Sequence, residues 1–281
     1  MHQTVTPRRA AWLNELIAAW GFLQRNYYLT KRYFMWELVW FVYSAASAMS
    51  IGFIGKGVEQ QGTSQEGARL TTFLLIGALL WSYLSMLFDI LSETVSWERW
   101  EGTIEYTFMS PASRATHLIG TSMYAIMYGI VRTAVMFGLI SLFFDLELGH
   151  ANFLAALVLL GVASISLVGF GMVTAVMPLL SPEKGQQVTM IFGSFLLLIS
   201  GIYYPVEVLP GWMQALATFS PVTYALRGVR GALLEGQGIA SLWGSIWPLL
   251  VMGMICVPLG LWIFQLGERY AKRTGRLKRS G

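Results

Sequence analysis

Apolar residues in this chain form long runs separated by short polar segments. Six runs approach or exceed the roughly 20 residues that a helix needs to cross the hydrocarbon core of a bilayer. They cover residues 34–54, 70–92, 118–144, 152–180, 188–204 and 242–266. The pattern predicts an all-α polytopic membrane protein whose segment 34–266 is a six-span transmembrane domain.

A shorter pattern precedes the first run. Within residues 10–24 the apolar side chains recur at helical spacing, and Asn14 and Gln24 lie off the apolar face. A run of about 15 residues is short for a crossing, so the cytoplasmic segment 1–33 is predicted to carry an amphipathic helix. Two placements stay open: the helix lies in the membrane interface with its tryptophans at headgroup depth, or it packs on the protein's own spans.

The segment 203–235, between the fifth and sixth runs, combines turn-forming residues with apolar helical patches at 213–219 and 225–234. Each patch is too short for a seventh or eighth crossing. We predict two re-entrant helices on the outer side, whose free backbone groups are buried in protein or in contact with water.

Composition and charge agree with a membrane protein. Hydrophobic residues make up 55% of the chain and charged residues 12%, compared with about 25% charged residues in soluble domains. Of the 19 basic residues, 14 fall on one side of the six-span topology and four on the other. The positive-inside rule therefore places both termini in the cytoplasm. The basic tail 267–281 is expected to meet anionic lipid headgroups rather than nucleic acid.

No catalytic centre or metal site is expected. The chain has one cysteine and three scattered histidines, too few and too dispersed for a metal cluster. Its single Gly-Lys pair, Gly55-Lys56, lacks the spacing and the following hydroxyl of a phosphate-binding loop. If the protein transports actively, another subunit must hydrolyse the ATP.

A charged segment, residues 97–114, separates the second and third runs. Glu98, Glu101 and Glu105 follow one another at i, i+3 and i+7, a spacing that predicts one acidic face on a short helix. Gly102 permits a tight bend. Such a face suits a basic cleft on a soluble partner, and it also suits an ordinary solvated surface; the spacing leaves both readings open.

The same segment resembles the cytoplasmic coupling element of type-2 ABC exporter permeases. That element reads Glu-Arg-x-x-Gly-Thr-Leu-Glu-x-Leu-x-x-(Ser/Thr)-Pro-x-Ser-Arg. The matching residues are Glu98, Arg99, Gly102, Thr103, Ile104, Glu105, Ser110, Pro111, Ser113 and Arg114. Thr107 stands where the family usually has leucine, so the packing beneath this helix is expected to differ.

A second resemblance lies around the segment 203–235. The family often carries Ser-Gly-x-x-(Tyr/Phe)-Pro, then Leu-Pro-x-Trp, then (Ser/Asn)-Pro-x-Thr-Tyr and a later arginine. The residues that fit are Ser200, Gly201, Tyr204, Pro205, Leu209, Pro210, Trp212, Ser220, Pro221, Thr223, Tyr224 and Arg230. The predicted six spans also agree with this family, so the resemblance extends over nearly the whole chain. It is greatest to daunorubicin-type drug exporter permeases.

The resemblance implies a permease subunit of an exporter in the bacterial or archaeal cytoplasmic membrane. Two such chains, or one and a relative, would form the pore for a drug-like, lipid or other amphipathic substrate. A separate nucleotide-binding ATPase subunit would hold ATP and Mg²⁺, so this chain would bind no cofactor and would not be an enzyme by itself. The residues implied in docking that subunit are Glu98, Arg99, Glu101, Gly102, Thr103, Glu105, Pro111, Arg114 and Glu183.

Arg132 lies near the middle of the third span. A lone arginine at that depth costs about 2.5–3.5 kcal/mol to insert, so it should face a partner or a wet cavity, with Asp89 or Glu37 as candidate ion-pair partners. A buried pair that holds spans together and a place on the substrate path both stay open. Further candidates for the path or gate are Tyr203, Tyr204, Glu207, Trp212 and Tyr224.

Three other functions compete with the drug exporter. A polysaccharide or glycolipid exporter permease belongs to the same family. A stand-alone ion-coupled transporter would need a carboxylate relay inside the membrane, whereas Arg132 is the one deeply placed ionisable residue in the predicted spans. An intramembrane enzyme would need a polar catalytic cluster, which the apolar runs do not provide.

Overall fold

The computed structural model describes residues 11–60, 64–146 and 148–275, and the regular elements within them are helices. They are α1 (Ala11–Arg32), α2 (Phe34–Glu59), α3 (Ser64–Glu101), α4 (Ile104–Met109), α5 (Arg114–Ser141), α6 (Phe153–Thr174), α7 (Val176–Leu180), α8 (Pro182–Ile199), α9 (Gly211–Ala217), α10 (Pro221–Leu234) and α11 (Trp243–Arg273). A short 3₁₀ turn, Val206–Val208, precedes α9. Part of the predicted segment 1–33 and part of the tail 267–281 lie outside the described residues.

Five stretches of the described chain are long and apolar enough to cross a membrane: α2, most of α3, α5, α6 with α7, and α11. Each coincides with a predicted span. The sixth predicted span, 188–204, is displaced, because α8 runs over Pro182–Ile199 and starts with polar residues that include Glu183 and Lys184. It ends early because Gly201 adopts φ +72°, a left-handed conformation that terminates helices. The apolar pattern alone did not reveal this offset.

Helix α3 is the centre of the bundle. In its most apolar window 72% of the residues are buried, compared with 22–50% in the other four stretches. Leu75, Leu84, Leu87 and Leu91 are completely buried, and α3 contacts α2, α5, α6 and α8. Because α3 is surrounded by protein, a displacement of its C-terminal end would be felt by most of the bundle.

Helices α6 and α11 form the most extensive pair, and they approach closely through glycines. A Cβ atom added at Gly260 would lie 2.5 Å from the carbonyl oxygen of Gly169. Ser166 Oγ donates a hydrogen bond to the carbonyl oxygen of Leu249 at 2.5 Å. Small residues and interhelical hydrogen bonds are the means by which helices associate in lipid, where apolar burial gives little driving force.

Helix α1 is longer than predicted and packs on α5. Ala19, Leu23 and Asn26 are buried on the side that faces the protein. Trp12 and Trp20 are exposed on the other side. Of the two placements, the structure therefore shows packing on the protein's own spans, and it leaves an apolar face free for the membrane interface.

One end of the bundle carries α4, the junction of α7 with α8, and the C-terminus of α11; we call it the α4 end. The opposite end carries α9 and α10, the two short helices predicted in the segment 203–235. Arg230 of α10 donates to the carbonyl oxygens of Gly201 and Ile202 at 2.9 and 2.5 Å. Its guanidinium lies 3.5 Å from the ring centre of Phe73 on α3, and burial lowers its pKa to about 10. Arg230 thus fastens α10 to α3 and to the turn after α8.

This anchor predicts a large effect of a mild substitution. Arg230→Lys keeps the charge but cannot reach two carbonyl groups in a fixed fork, so the free energy of unfolding should fall by about 2 kcal/mol. The measurement is the thermal unfolding midpoint of the purified chain in detergent. Arg227→Lys, an exposed arginine on the same helix, is the matched control and should leave the midpoint unchanged. Equal midpoints for both variants would contradict the anchoring role.

Candidate functional site

The connector between α3 and α5, residues 97–114, is a sharp bend followed by a short helix. Helix α3 ends at Glu101, and Gly102 turns the chain with φ +75°. Helix α4 ends at Met109, before Pro111, and Ser110 is extended with ψ 151°, as expected for a residue that precedes proline. The bend at Gly102 and the helix end before the proline agree with the sequence pattern.

The predicted acidic face on one helix is wrong. Glu98 belongs to α3 and Glu105 to α4, and the bend at Gly102 lies between them. The side chains of Glu101 and Glu105 are exposed, whereas Glu98 is only 4% exposed. The i, i+3, i+7 spacing assumed a continuous helix, and the left-handed glycine breaks that continuity.

Glu98 joins three helices at the α4 end. Its Oε1 atom lies 2.5 Å from Arg25 Nη2 of α1 and 3.2 Å from His117 Nε2 of α5. The ring of Phe22, also on α1, packs against the imidazole of His117 at 4.7 Å between ring centres. The Arg25 guanidinium lies over the Phe22 ring. We call Arg25, Glu98 and His117 the connector cluster; it holds α1, α3 and α5 together where the connector begins.

A second set of contacts holds α1 to the start of α5. Glu15 Oε2 accepts hydrogen bonds from the hydroxyl of Thr116 and from the backbone N–H of Ser113, the latter at 3.3 Å. These bonds keep the pKa of the Glu15 carboxyl below its ordinary value. Ser113 also caps α5, since its Oγ accepts from the backbone N–H of Thr116 at 3.1 Å. The ionised form of Glu15 is therefore the form that secures α1.

Arg114 ties α4 to α11. Its Nε donates to Glu268 Oε1 at 3.0 Å, its Nη1 donates to the carbonyl oxygen of Thr107 at 3.1 Å, and its Nη2 donates to that of Phe108. The guanidinium also stacks on the Phe108 ring, 4.5 Å from its centre. Lys272 Nζ lies 2.6 Å from the same oxygen of Glu268. The donors of Arg114 are thus satisfied within the chain, which makes this residue a positioning residue for α4.

Other connector residues are also turned inward. Arg99 is buried, and its Nε and Nη1 atoms have no hydrogen-bond partner among the described residues. Thr107 is buried beneath α4 and donates to the carbonyl oxygen of Thr103 at 3.4 Å. The threonine that departs from the family pattern therefore returns its hydroxyl to the backbone, and its smaller apolar part packs against the bundle.

The exposed part of the connector is apolar and acidic. Trp97, Trp100, Tyr106 and Met109 are exposed, the last two at 73%. Glu101 and Glu105 are exposed beside them. We call these six residues the connector surface. Glu183, at the start of α8, is also exposed at the α4 end. Within the connector, Gly102, Thr103 and Pro111 shape the backbone between the exposed side chains.

Arg132 does not form the predicted ion pair with Asp89 or Glu37. It donates to Ser44 Oγ at 2.8 Å and to the carbonyl oxygen of Trp40 at 3.2 Å, both on α2. The carboxylate of Glu37 instead accepts a hydrogen bond from the hydroxyl of Tyr128, at 2.6 Å. Tyr128 lies one helical turn before Arg132 on α5. The charge of Arg132 is therefore solvated by neutral dipoles and is not cancelled by a carboxylate.

The hydrogen bonds of Arg132 go to α2 and α3, and none of them goes to a candidate path residue of the segment 203–235. The hydroxyls of Tyr204 and Tyr224 donate to nearby backbone carbonyl oxygens. Tyr203 is half-buried against the core, and Glu207 and Trp212 are exposed. Tyr203 also packs against a cluster that includes Leu79 and Met136, two residues that line a pocket with Arg132.

Four residues that organise the site were not singled out in the sequence: Glu15, Arg25, His117 and Glu268. In the sequence, Arg25 contributes only to the excess of basic residues on one side of the topology. Glu268 lies 154 positions from its partner Arg114. His117 lies three residues after the connector motif, and this position is the only local signal that could have pointed to it.

The connector cluster predicts opposite outcomes for two neighbouring glutamates. Glu98→Ala removes the acceptor shared by Arg25 and His117 and leaves the buried His117 and the partly exposed Arg25 without their carboxylate, which should lower the free energy of unfolding by about 2–3 kcal/mol. Glu101→Ala changes an exposed side chain and should alter the free energy of unfolding by no more than about 0.5 kcal/mol. Denaturant titration in detergent measures both. Similar losses for the two variants would contradict the buried role of Glu98.

Comparison with known proteins gives the family. The model of a family described as "ABC-2 type transporter" matches residues 19–234, a range that contains the connector, the connector cluster and all but the last residue of the segment 203–235. The chain is 26% identical over 170 residues to YbhR of Escherichia coli K12, described as a probable multidrug ABC transporter permease. It is 27% identical over 107 residues to LnrN of Bacillus subtilis, described as a linearmycin resistance permease protein.

The similarity to these relatives is partial. The match covers 58% of this chain and 44% of YbhR, and 38% of this chain and 28% of LnrN. The chain thus spans less than half the length of the curated relatives it matches. The family match, in contrast, extends over most of the chain, and the five apolar helical stretches fit a multi-pass membrane protein. The chain belongs to the ABC-2 type transporter family.

Proposed function

We propose that this chain is the permease subunit of an ATP-driven exporter and that it moves a drug-like, lipid or other amphipathic molecule out of the cytoplasm or the inner leaflet. A separate nucleotide-binding subunit binds ATP with Mg²⁺ and hydrolyses it. This chain supplies the membrane pathway and the surface that receives the force.

The connector surface is the observation that supports this function best. Exposed aromatic residues, Trp97, Trp100 and Tyr106, stand beside the exposed carboxylates of Glu101 and Glu105. Aromatic residues surrounded by charges are typical of protein interfaces, whose centres are apolar and whose rims are polar. We propose that the ATPase subunit docks here, with a smaller contact at Glu183 on the start of α8.

The packing behind this surface is suited to transmit force. Glu98 links α3 to α1 and α5, and Arg114 links α4 to α11 through Glu268. A push on α4 therefore reaches four other helices through buried polar contacts. Three of the residues first assigned to docking, Glu98, Arg99 and Arg114, act in this proposal as transmitting residues beneath the surface.

We propose a six-span topology in which α8 also crosses the membrane. Its 18 residues extend about 27 Å at 1.5 Å per residue, close to the thickness of the hydrocarbon core, which is about 30 Å. The excess of basic residues then places the α4 end in the cytoplasm and makes α9 and α10 re-entrant helices of the outer side. A second permease copy, identical or related, completes the pore in the cytoplasmic membrane of a bacterium or archaeon.

The descriptions of the relatives support the drug branch over the polysaccharide branch. One is described as a probable multidrug permease and the other as a linearmycin resistance permease. The charge of Arg132 is not cancelled by a carboxylate, and it lies in the middle of α5. We propose that this charge faces the substrate path and favours substrates that carry an anionic group.

The docking surface predicts a loss of coupling on charge reversal. Glu101→Lys together with Glu105→Lys replaces attraction to a basic cleft by repulsion, so the affinity for the ATPase subunit should fall on the order of tenfold. Co-purification of that subunit from native membranes and transport-stimulated ATP hydrolysis are the two readouts. Both should fall while the yield of the permease in the membrane stays constant.

The matched control for that experiment is Glu207→Lys, an exposed glutamate at the opposite end of the bundle. It should leave recovery of the ATPase subunit and its activity unchanged. Full recovery and full coupling in the Glu101→Lys, Glu105→Lys variant would refute docking at the connector surface. Transport that continues without any ATPase subunit would instead favour an ion-coupled transporter.

The assignment of Arg132 to the substrate path predicts a change in selectivity. Arg132→Met removes the charge, so efflux of anionic amphiphiles should fall relative to that of cationic ones because the favourable Coulomb interaction is lost. Efflux of a matched pair of anionic and cationic fluorescent amphiphiles from intact cells measures the ratio. Arg227→Met, at an exposed site on α10, should leave it unchanged. An unchanged ratio in Arg132→Met, with normal expression, would assign this residue to structure alone.

A further inference from the structure

A cavity of about 310 Å³ lies between the first turn of α5 and the last turns of α11, at the α4 end. The residues that line it are Ser113, Arg114, Ala115, Gln265, Glu268, Arg269 and Lys272. It lies beside the connector surface but includes none of its six residues. The two helices make few contacts with each other, which leaves the cavity open along its length.

The cavity has an excess of positive charge. Its one carboxylate, Glu268, is buried and already compensated by Arg114 at 3.0 Å and Lys272 at 2.6 Å. The donors of Arg114 are used within the chain, as described above. Arg269 is exposed and makes no hydrogen bond or ion pair with a described residue, and the Lys272 side chain is 48% exposed. The lining holds three positive charges, on Arg114, Arg269 and Lys272, against the one negative charge of Glu268. Arg269 carries the charge that has no partner among the described residues, and an anion is the complement of this excess.

The walls above the cavity are apolar. On α5, Ile119 and Met123 follow the lining residue Ala115 at helical spacing and are exposed. On α11, Trp262 and Leu266 precede Arg269 at helical spacing and are also exposed. Residues three, four, seven and eight positions apart share one side of a helix. A ligand with an anionic head and hydrocarbon chains would place its head in the cavity and its chains along these residues.

We propose that this cavity is a binding site for the phosphate headgroup of an anionic phospholipid. Basic pockets between transmembrane helices are known to bind such headgroups, and each lysine or arginine near an anionic membrane surface contributes roughly 1 kcal/mol. Arg269 and Lys272 bind the phosphate, and the apolar residues of α5 and α11 contact the acyl chains. This site requires only that the chain spans a membrane, and it does not depend on the proposed export.

The test is lipid competition. The full chain is reconstituted in nanodiscs that contain equal amounts of phosphatidylglycerol and phosphatidylcholine, and native mass spectrometry measures which lipid stays bound. Wild type should retain phosphatidylglycerol preferentially. Arg269→Gln should lower the ratio of bound phosphatidylglycerol to phosphatidylcholine about fivefold, the fold-change that corresponds to roughly 1 kcal/mol. Because Arg269 is exposed and unpaired, the thermal unfolding midpoint of this variant should not change.

Arg273→Gln is the matched control, since it removes the same charge one turn further along α11 at an exposed site outside the cavity. It should change the lipid ratio by less than about twofold, because salt screens the attraction between an exposed charge and the membrane surface. Equal losses in the two variants, or no preference in wild type, would overturn the proposal.

Two further outcomes identify other ligands. Complete displacement of the bound lipid by millimolar inorganic phosphate would show that a soluble phosphate is the ligand and would overturn the lipid assignment. If Arg269→Gln keeps the lipid ratio but loses the co-purifying ATPase subunit, the cavity belongs to a protein contact and the proposal is again wrong. The preference for phosphatidylglycerol is measured without an ATPase subunit, so its absence would leave the export proposal untouched.

Discussion

The buried carboxylate of Glu98 is the interaction on which the α4 end of this protein depends. One oxygen atom serves an arginine from α1 and a histidine from α5 while the side chain itself belongs to α3. Removing one member of such a cluster leaves a buried charge uncompensated, which costs more than the intact pair contributes. The three helices are therefore held in one arrangement, and a displacement of the connector is shared among them.

Four arginines of this protein find acceptors for their N–H groups in two different ways. Arg25 and Arg114 meet carboxylates at the α4 end, where the charges cancel. Arg230 and Arg132 meet backbone carbonyl oxygens, and Arg132 also meets a serine hydroxyl. Neutral dipoles satisfy the donors of an arginine without removing its charge. The first pair and Arg230 fasten helices together, whereas Arg132 keeps a positive charge within a predicted span, where charge is costly.

Packing divides the bundle into parts with different freedom. Helix α3 is surrounded by protein, and α6 and α11 approach closely through glycines and a serine hydrogen bond. Helix α2 and much of α5 are largely exposed, as expected for helices that face lipid or a second copy. A force applied at the connector would therefore enter through the most buried helix. The cavity beside α11 lies where two helices separate, which is also where a lipid can reach the protein.

The sequence by itself determined five helical stretches that are long and apolar enough to cross a membrane, the bend at Gly102 and the helix end before Pro111. Run length, glycine and proline act locally. It did not determine the end of α8, where Gly201 stops the helix within an apolar run. The spacing of Glu98, Glu101 and Glu105 misled because the left-handed Gly102 places Glu105 on a second helix and because Glu98, unlike Glu101, is buried against α1 and α5. Only the tertiary structure decided that Glu98 is buried against Arg25 and His117 and that Glu268 meets Arg114. Local patterns report what each residue prefers to contact, whereas the partner of a charge depends on which distant helices pack side by side.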